Sequence, residues 1–492
     1  MKHHSAHPAR DTLVGTLRVF LADMMILPTG LLTTAYLTRR LGPERYGLFI
    51  LAATLVAWVE WSVAALFSRT TIKFVSEAKD WRPVGAAVVW LHLLTSTGAM
   101  VLLVLLAGPL ATLLHEPHLA GYLRLFSLDI PVFSLAQAHR NILVGIGGFR
   151  ERALASAGRW ISRLLAIVLL VQLGFSVSGA ILGSIAASLV ELVIGRIYVR
   201  PSLWRPAGFS VRPLWGYALP LLFAAVSLRL FDKLDLVSLK ALGASAGQAG
   251  TYGAAQSLSL VPGIFALSFS PLLLSTVTRL LLSGEAEAAR KIGRDAMRLV
   301  LGFLPFAALV AGAAPEIVLL IFGQRFLSAA PPLALLIFGA VALMMVSVAS
   351  AILIGAGKPG WAVALASLLV PLALTGCFFF IPAWGPRGAA LATTLSAAAG
   401  ALASMLAVKR LWGLLPSATT LLRSFLLSTL AYISAAFWPT PGILLLVKLT
   451  AISLLICMGY FVLGEFSAAE KVLVRSILDW PGSSRKSALE AE

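Results

Sequence analysis

Fourteen apolar stretches follow one another along this chain of 492 residues, and each is long enough to cross a lipid bilayer. A helix needs about 20 mostly apolar residues to span roughly 30 Å of hydrocarbon, where no water is present to satisfy an exposed peptide group. The sequence therefore predicts an all-α polytopic membrane protein with spans near residues 13–36, 46–67, 84–107, 121–145, 154–173, 177–199, 214–240, 251–278, 297–314, 331–354, 361–381, 386–408, 421–439 and 442–463.

Composition excludes an ordinary soluble domain. Hydrophobic residues make up 59% of the chain and charged residues only 12%, so a soluble fold would expose large apolar patches to water. The two cysteines, Cys377 and Cys457, both fall in predicted spans and suggest neither a disulfide nor a zinc site. We expect no cofactor and no bound metal.

The net charge of +18 does not indicate nucleic-acid binding, because the basic residues are spread over alternate connectors instead of one folded face. With a cytoplasmic N-terminus, about 27 of the 39 Lys and Arg residues lie in or beside cytoplasmic segments and about 7 lie on the far side. This asymmetry predicts that both termini are cytoplasmic. The richest inner connectors are also expected to meet anionic lipid head groups.

An internal repeat appears when the chain is compared with itself at an offset of about 200 to 210 residues. The repeated sequences, in chain order, are Leu41-Gly42 with Tyr46-Gly47 and Leu242-Gly243 with Tyr252-Gly253; Leu143-Val144-Gly145-Ile146-Gly147 and Leu353-Ile354-Gly355-Ala356-Gly357; and Gly179-Ala180-Ile181-Leu182 and Gly388-Ala389-Ala390-Leu391. Because each repeat has six spans, both would insert in the same orientation about an axis along the membrane normal.

The repeat divides the chain into two pseudo-symmetric six-helix lobes with two extra C-terminal helices. We predict the following division: 1–12 cytoplasmic N-terminus, 13–199 N-lobe, 200–213 cytoplasmic linker, 214–408 C-lobe, 421–463 extra helix pair, and 464–492 cytoplasmic tail with an interfacial helix.

Charged side chains inside hydrocarbon are costly, so each one needs a partner, a water-filled cavity or a functional role. Span seven carries the densest group, in which Arg229, Asp232 and Lys233 share one helical face. Span one carries Arg18 and Asp23, and the repeat offset places Asp23 opposite Arg229. The alternative is that Asp232 and its basic neighbours form a local ion pair that only joins helices.

Other carboxylates are candidates for binding a coupling H⁺ or Na⁺. Glu60 and Asp129 are predicted to lie deep in spans two and four, and Asp235 lies at the edge of the span-seven face. By contrast, we interpret Arg140, Arg163 and Glu191 as structural residues that extend to the cytoplasmic surface.

Enzyme motifs are weak. Gly243-Ala244-Ser245-Ala246-Gly247 fits G-x-S-x-G in letters, but no strand precedes it, so a nucleophile elbow has no scaffold. The chain also has no Walker-type phosphate loop.

The opening hairpin, Tyr36-Leu37-Thr38-Arg39-Arg40-Leu41-Gly42-Pro43-Glu44-Arg45-Tyr46-Gly47-Leu48-Phe49, resembles bacterial oligosaccharide flippases of the polysaccharide-transporter family. That family belongs to the multidrug/oligosaccharidyl-lipid/polysaccharide (MOP) exporter superfamily. Further resemblance lies in Ala314-Pro315-Glu316-Ile317, Phe322-Gly323 and Gly355-Ala356-Gly357-Lys358-Pro359.

The resemblance implies a flippase in the bacterial plasma (inner) membrane. It would move undecaprenyl-diphosphate-linked oligosaccharide from the cytoplasmic to the outer leaflet by alternating access, for cell-surface polysaccharide biosynthesis. Arg18, Arg229 and Lys233 are the candidates for binding the diphosphate, and Asp23 and Asp232 would hold these cations in place. Expected partners are the lipid-linked oligosaccharide, membrane lipids, a coupling ion and other polysaccharide-assembly proteins.

Two alternatives remain open. A cation-coupled drug or metabolite exporter of the same superfamily would share the fold and use Asp23, Glu60 or Asp129 to bind Na⁺ or H⁺. A membrane polysaccharide polymerase or ligase is disfavoured, because such an enzyme needs a long folded outer loop and the outer connectors here are short.

Overall fold

The computed structural model describes residues 19–202, 231, 233–440 and 442–465, and this part of the chain folds almost entirely into α-helices. The helices are α1 Ile26–Glu77, α2 Trp81–Leu113, α3 Leu119–Ser127, α4 Asp129–Gly145, α5 Phe149–Leu170, α6 Ser176–Tyr198, α7 Leu234–Ala241, α8 Ala246–Ser259, α9 Val261–Leu282, α10 Ala286–Leu301, α11 Leu304–Gly312, α12 Ala314–Phe322, α13 Ala330–Gly355, α14 Pro359–Trp384, α15 Pro386–Trp412, α16 Ala418–Phe437 and α17 Leu444–Val462. A π-helical segment, Val171–Phe175, joins α5 to α6, and a 3₁₀ segment, Gln324–Ala329, joins α12 to α13.

Ten helical segments of the described chain are long and apolar enough to cross a membrane. Two of them, Val19–Glu77 and Phe149–Tyr198, contain 59 and 50 residues. At 1.5 Å per residue they are about 89 and 75 Å long, roughly three and two and a half times the length of one crossing. Each of these two covers two predicted spans, so the ten segments contain twelve of the fourteen.

The two remaining predicted spans are the seventh and the eighth. The seventh lies mostly outside the described residues. The eighth is broken at Leu260, so that α8 ends and α9 begins with Pro262 in its first turn. Pro262 thus lies at the break between the two helices, whereas Pro271 lies inside α9.

The helices have a buried core inside the bundle, yet they also present many large apolar side chains outward. Leu105, Leu422, Phe425 and Val462 are each at least 70% exposed. Such side chains are stable on the outside of a protein only where lipid replaces water. The chain is a multi-pass membrane protein.

Equivalent glycines occupy equivalent positions in the two repeats. A Cβ atom on Gly145 would lie 2.6 Å from Val75 Cγ1, and a Cβ atom on Gly355 would lie 2.9 Å from Val277 Cγ1. The turns that follow place Gly147 and Gly357 at φ values of 82° and 75°. Both repeats therefore need glycine for the same two reasons, close helix approach and a left-handed turn.

The two halves of the described chain, α1 to α6 and α7 to α15, approach each other along α1 and α8. A Cβ atom on Gly47 would lie 1.8 Å from the Ala246 carbonyl oxygen, and one on Gly250 would lie 2.1 Å from the Pro43 carbonyl oxygen. Ala246 and Gly250 are four residues apart, the small-xxx-small spacing that lets membrane helices pack closely. Near this contact α1 is interrupted at Gly42, whose φ of 72° and ψ of 174° are not helical.

Polar contacts reinforce the same junction. Arg39 of α1 donates from Nε to the Ile321 carbonyl oxygen at 3.0 Å and from Nη2 to the Leu320 carbonyl oxygen at 2.5 Å. Lys240 Nζ of α7 lies 3.0 Å from Glu116 Oε1, between α2 and α3. These contacts join the halves at the end where the chain turns at Gly42 and Gly243, which the charge distribution predicts to be the outer end.

The last two helices, α16 and α17, are held to the second half near both ends. Lys448 of α17 has no exposed side-chain surface, and its Nζ lies 2.5 Å from Glu316 Oε2 of α12. Toward the other end, Glu465 lies 2.7 Å from Arg423 Nη1 of α16 and 3.9 Å from Arg298 Nε of α10. The extra helix pair is thus ion-paired to its neighbours instead of only packing against them.

Candidate functional site

Three of the predicted substrate-binding residues, Arg18, Arg229 and Asp232, lie outside the described residues. The pairing of Asp23 with Arg229 across the two halves therefore remains a prediction. Within the described chain, Asp23 accepts a hydrogen bond from Arg152 Nη2 of α5 at 3.1 Å. The described guanidinium partner of Asp23 therefore belongs to its own half and is not one of the cations predicted for it.

A pair of buried carboxyl groups lies in the first half. Glu60 on α1 is 6% exposed, and Asp129 at the start of α4 is 2% exposed. Each lies within electrostatic range of the other and of Arg159 and Arg163. Glu60 Oε1 and Asp129 Oδ1 have no hydrogen-bond partner in the described chain. Since an unsatisfied buried carboxylate oxygen is costly, this pair is suited to hold a shared proton or a small cation.

Next to this pair, Glu191 of α6 lies between two arginines. Its Oε2 accepts a hydrogen bond from Arg159 Nη1 at 2.8 Å, and its Oε1 is 3.2 Å from Arg140 Nη1. The guanidinium of Arg159 also lies over the Phe133 ring, 4.5 Å from its centroid. Glu191 and its two guanidinium partners together carry a formal charge of +1.

The expectation that Arg140, Arg163 and Glu191 reach the cytoplasmic surface is wrong for Glu191, because its side chain is only 1% exposed. Arg163 also turns inward, within electrostatic range of Glu60 and Asp129. The partners of Glu191 lie on α4 and α5, so its burial is decided by helix packing and not by its distance from the end of its own helix.

Sequence reasoning missed Arg152 and Arg159. With Arg163 they occur at spacings of seven and four residues on α5, and such spacings place side chains on one helical face. This periodicity was the available signal. The arginines are partly buried: the side chains of Arg152 and Arg159 are 26% and 13% exposed.

In the second half, Asp235 of α7 is surrounded by neutral donors. Its Oδ2 accepts hydrogen bonds from the Tyr252 hydroxyl at 2.5 Å and the Thr393 hydroxyl at 2.7 Å, and its Oδ1 accepts one from the Gln256 amide at 2.9 Å. Asp235 is 2% exposed. It thus lies among α7, α8 and α15, within the second half.

Lys233, predicted to bind the diphosphate, lies beside this group. Its Nζ donates to Gln256 Oε1 at 2.5 Å, and Gln256 in turn donates to Asp235. Lys233 and Asp235 are therefore linked through one amide side chain.

Solved structures at low sequence identity share this fold. The lipid II flippase MurJ, in an inward closed conformation, is 16% identical, with a TM-score of 0.74 over 95% of this chain and 100% of its own. An inward-facing multidrug resistance MATE family transporter of the MOP superfamily is 15% identical, with a TM-score of 0.65 over 84% and 99%. A MOP superfamily transporter from Pyrococcus furiosus is 14% identical, with a TM-score of 0.60 over 80% and 95%.

The fold is therefore the MOP superfamily fold, as predicted. The match to MurJ covers the whole length of the MurJ chain. A family model described as polysaccharide biosynthesis protein matches residues 13–273, more than half of the sequence. The chain belongs to this polysaccharide biosynthesis protein family. None of the curated proteins compared with the sequence matches it.

Proposed function

We propose that this protein is a flippase that moves undecaprenyl-diphosphate-linked oligosaccharide from the cytoplasmic to the outer leaflet by alternating access. The observation that carries the proposal is the arginine-bearing face of α5 inside the membrane bundle of a polysaccharide biosynthesis family member. Guanidinium groups bind phosphate oxygens through paired, charge-assisted hydrogen bonds. A partly buried set of them offers a diphosphate a substitute for its water shell.

The predicted diphosphate ligands Arg18, Arg229 and Lys233 remain part of this proposal. Asp23 and Asp232 would hold the cations in position before substrate arrives. The Asp23–Arg152 ion pair supports this role for Asp23, since it shows the aspartate restraining a guanidinium that is still 26% exposed. We add Arg152, Arg159 and Arg163 as a second set of phosphate contacts in the first half.

Coupling to H⁺ or Na⁺ is proposed at two places. The Glu60 and Asp129 carboxyls, each with an unsatisfied oxygen, would share a proton or a cation in the first half. Asp235 would take a proton or Na⁺ in the second half, where the hydroxyl oxygens of Tyr252 and Thr393 offer further ligands. Oxygen ligands of this kind suit a hard monovalent cation.

The junction between the halves supports alternating access. Close packing of α1 on α8, together with the Arg39 and Lys240 contacts, would seal the end predicted to be outer. Substrate would then enter from the cytoplasmic side, and breaking these contacts would accompany release outward. We further propose that the protein lies in the bacterial inner membrane with cytoplasmic termini and works with other polysaccharide-assembly proteins.

A cation-coupled drug exporter is the second candidate, and the fold shared with a MATE family transporter favours it. An organic cation would need carboxylates whose charge is not already compensated. In the first half the described carboxyls lie beside Arg152, Arg159 and Arg163, an arrangement better suited to an anionic substrate.

The test uses proteoliposomes that contain the full chain and a fluorescent polyprenyl-diphosphate oligosaccharide. We expect label from the inner leaflet to reach the outer leaflet, where an external membrane-impermeant quencher meets it. Arg159→Gln should slow this movement at least about tenfold, as loss of a charge-assisted hydrogen bond predicts. Arg290→Gln, on the exposed face of α10, is the matched control. Dye efflux without movement of the labelled lipid would instead establish the exporter and reject the flippase.

A further inference from the structure

A cavity of about 460 Å³ lies at the end of the second half that is predicted to be outer. It opens between the first turns of α8, the 3₁₀ segment that precedes α13 and the turn that joins α14 to α15. The cavity is distinct from the Asp235 site, because Arg387 in its wall precedes Thr393 by six residues, about 9 Å along α15. Its polar and aromatic lining residues are Gln248, Thr251, Ser328, Trp384 and Arg387.

Trp384 supplies an aromatic surface in the wall of the cavity. Its ring is stacked on that of Phe380, with an interplanar angle of 11° and 5.6 Å between the ring centroids. Trp384 is nevertheless 55% exposed. Phe380 thus supports one side of the indole ring while the other side stays accessible. The negative face of an aromatic ring attracts the C–H groups on one side of a sugar ring, whose hydrogens carry a small positive charge.

Gln248 presents an amide group whose orientation is fixed. Its Oε1 accepts a hydrogen bond from the Ser245 backbone N–H at 3.0 Å, as part of the capping box of α8. The amide nitrogen makes no hydrogen bond within the described chain, and it lies 4.0 Å from the position that a Cβ atom on Gly385 would occupy. Because Gly385 directly follows Trp384, two N–H donors are held next to the aromatic surface, where they can bind the hydroxyl groups of a sugar.

Arg387 gives the cavity its charge. It lies in the first turn of α15, three residues after Trp384, beyond the turn at Gly385, whose φ is 53°. Among the described residues, no carboxylate lines the cavity or pairs with this guanidinium, so the described lining carries a formal charge of +1. An uncompensated guanidinium favours a ligand with a carboxylate, which it binds through two parallel hydrogen bonds.

Tryptophan is also common where a helix end meets the membrane–water interface. An interfacial anchor requires an exposed ring, but it requires neither a concave site nor amide donors of fixed orientation. Here the ring, the amide and the guanidinium come from two separate parts of the chain and converge on one cavity. Convergence of a few polar groups around an apolar surface is typical of a binding site.

We propose that this cavity binds a sugar unit that carries a carboxylate, at the outer surface of the membrane. The sugar ring would lie against Trp384, a hydroxyl group would accept a hydrogen bond from Gln248, and the carboxylate would pair with Arg387. That this sugar belongs to the transported lipid-linked oligosaccharide rests on the proposed function, since a head group released outward would meet this surface.

The test measures the affinity of the full chain, in lipid nanodiscs, for two soluble tetrasaccharides by isothermal titration calorimetry. Hyaluronan tetrasaccharide alternates glucuronate with N-acetylglucosamine, and tetra-N-acetylchitotetraose is its neutral match of the same length. We expect hyaluronan tetrasaccharide to bind at least about tenfold more tightly, through its charge-assisted hydrogen bonds, and Arg387→Gln to remove this preference. Trp384→Ala should weaken the binding of both by about tenfold through loss of apolar contact.

Two control variants change the same end of the molecule or the same helix without touching the cavity. Arg325→Gln removes an exposed arginine from the 3₁₀ segment, and Phe379→Ala removes an exposed aromatic side chain from α14. Both should bind the tetrasaccharides like wild type. Arg387 and Trp384 are also exposed, so all four variants should keep the wild-type melting temperature.

Equal binding of the two tetrasaccharides by wild type, or a preference that Arg387→Gln retains, would overturn the proposal. Absence of binding, or wild-type binding by Trp384→Ala, would also overturn it and leave Trp384 as an interfacial anchor. Neither probe carries a lipid, so the two proposals can fail separately. Sugar binding without movement of the labelled lipid would reject the flippase alone, and lipid movement without sugar binding would reject this site alone.

Discussion

In the first half of the molecule Glu191 lies between the guanidinium groups of Arg140 and Arg159, whereas in the second half Asp235 accepts hydrogen bonds from the neutral side chains of Tyr252, Gln256 and Thr393. Both carboxylates are almost completely buried. The comparison separates two roles: an arginine-paired carboxylate is already compensated, and a carboxylate held by neutral donors can still gain a proton or a metal cation.

The largest loss of stability is expected from removing Glu191, the carboxylate that is paired with two arginines. Glu191→Leu leaves two partly buried guanidinium groups without their carboxylate, which costs about 3–5 kcal/mol for a buried pair. A large fall in melting temperature in detergent would show this. Glu287→Gln, which removes an exposed partner of Arg290 on α10, is the matched control and should leave the melting temperature unchanged. Equal melting temperatures for Glu191→Leu and wild type would contradict the assignment of Glu191 as the centre of the network.

The next effect concerns the contact that joins the two halves. Gly250→Ala places a methyl group about where the Pro43 carbonyl oxygen lies, so α8 must move away from α1. Overpacking of this kind costs about 1–3 kcal/mol, and we expect slower lipid movement together with a lower melting temperature.

Gly263→Ala on α9 is the control for that variant, because its new Cβ would meet no atom within 4 Å. If Gly250→Ala retained wild-type stability and translocation, α1 and α8 would not form the seal between the halves.

A loss of stability of the same order is expected at Asp235, the carboxylate held by neutral donors. Asp235→Asn keeps the shape of the side chain and exchanges one acceptor for a donor. If one hydroxyl is left unsatisfied, the free energy of unfolding falls by about 1–3 kcal/mol. Transport should nevertheless lose its dependence on the H⁺ or Na⁺ gradient.

That dependence is measured by imposing each gradient across proteoliposomes. Thr393→Val tests the same site without removing the carboxylate. If gradient-driven transport persisted unchanged in Asp235→Asn, the result would assign ion coupling to Glu60 and Asp129 instead.

The smallest effect is expected at Glu60. Glu60→Gln replaces a carboxyl group with a neutral amide. The Oε1 atom of Glu60 has no hydrogen-bond partner in the described chain, and a second carboxyl group, that of Asp129, lies beside it. Stability should stay within about 1 kcal/mol of wild type or rise, because relieving an unsatisfied buried carboxylate offsets the lost attraction to Arg159. Chemical denaturation would measure this, and a drop as large as that of Glu191→Leu would show that Glu60 belongs to the arginine network.

Much of the fold follows from the sequence because membrane insertion imposes a strong length and hydropathy requirement. Gly147 and Gly357, which match each other in the repeated sequences, both lie in turns with positive φ values. The site is harder to predict, since a charged residue in hydrocarbon reveals that a partner must exist but not which one. The partners of Glu191 are on two other helices, and Thr393 lies 158 residues from Asp235.

Ion pairs tether α16 and α17 to the second half through Glu316 and Glu465. Any rocking of that half must drag two additional helices sideways through the surrounding acyl chains. The rate of turnover should then depend on how well the hydrophobic length of this pair matches the thickness of the host bilayer. Lipids with shorter or longer tails than the matching length would therefore lower the turnover rate.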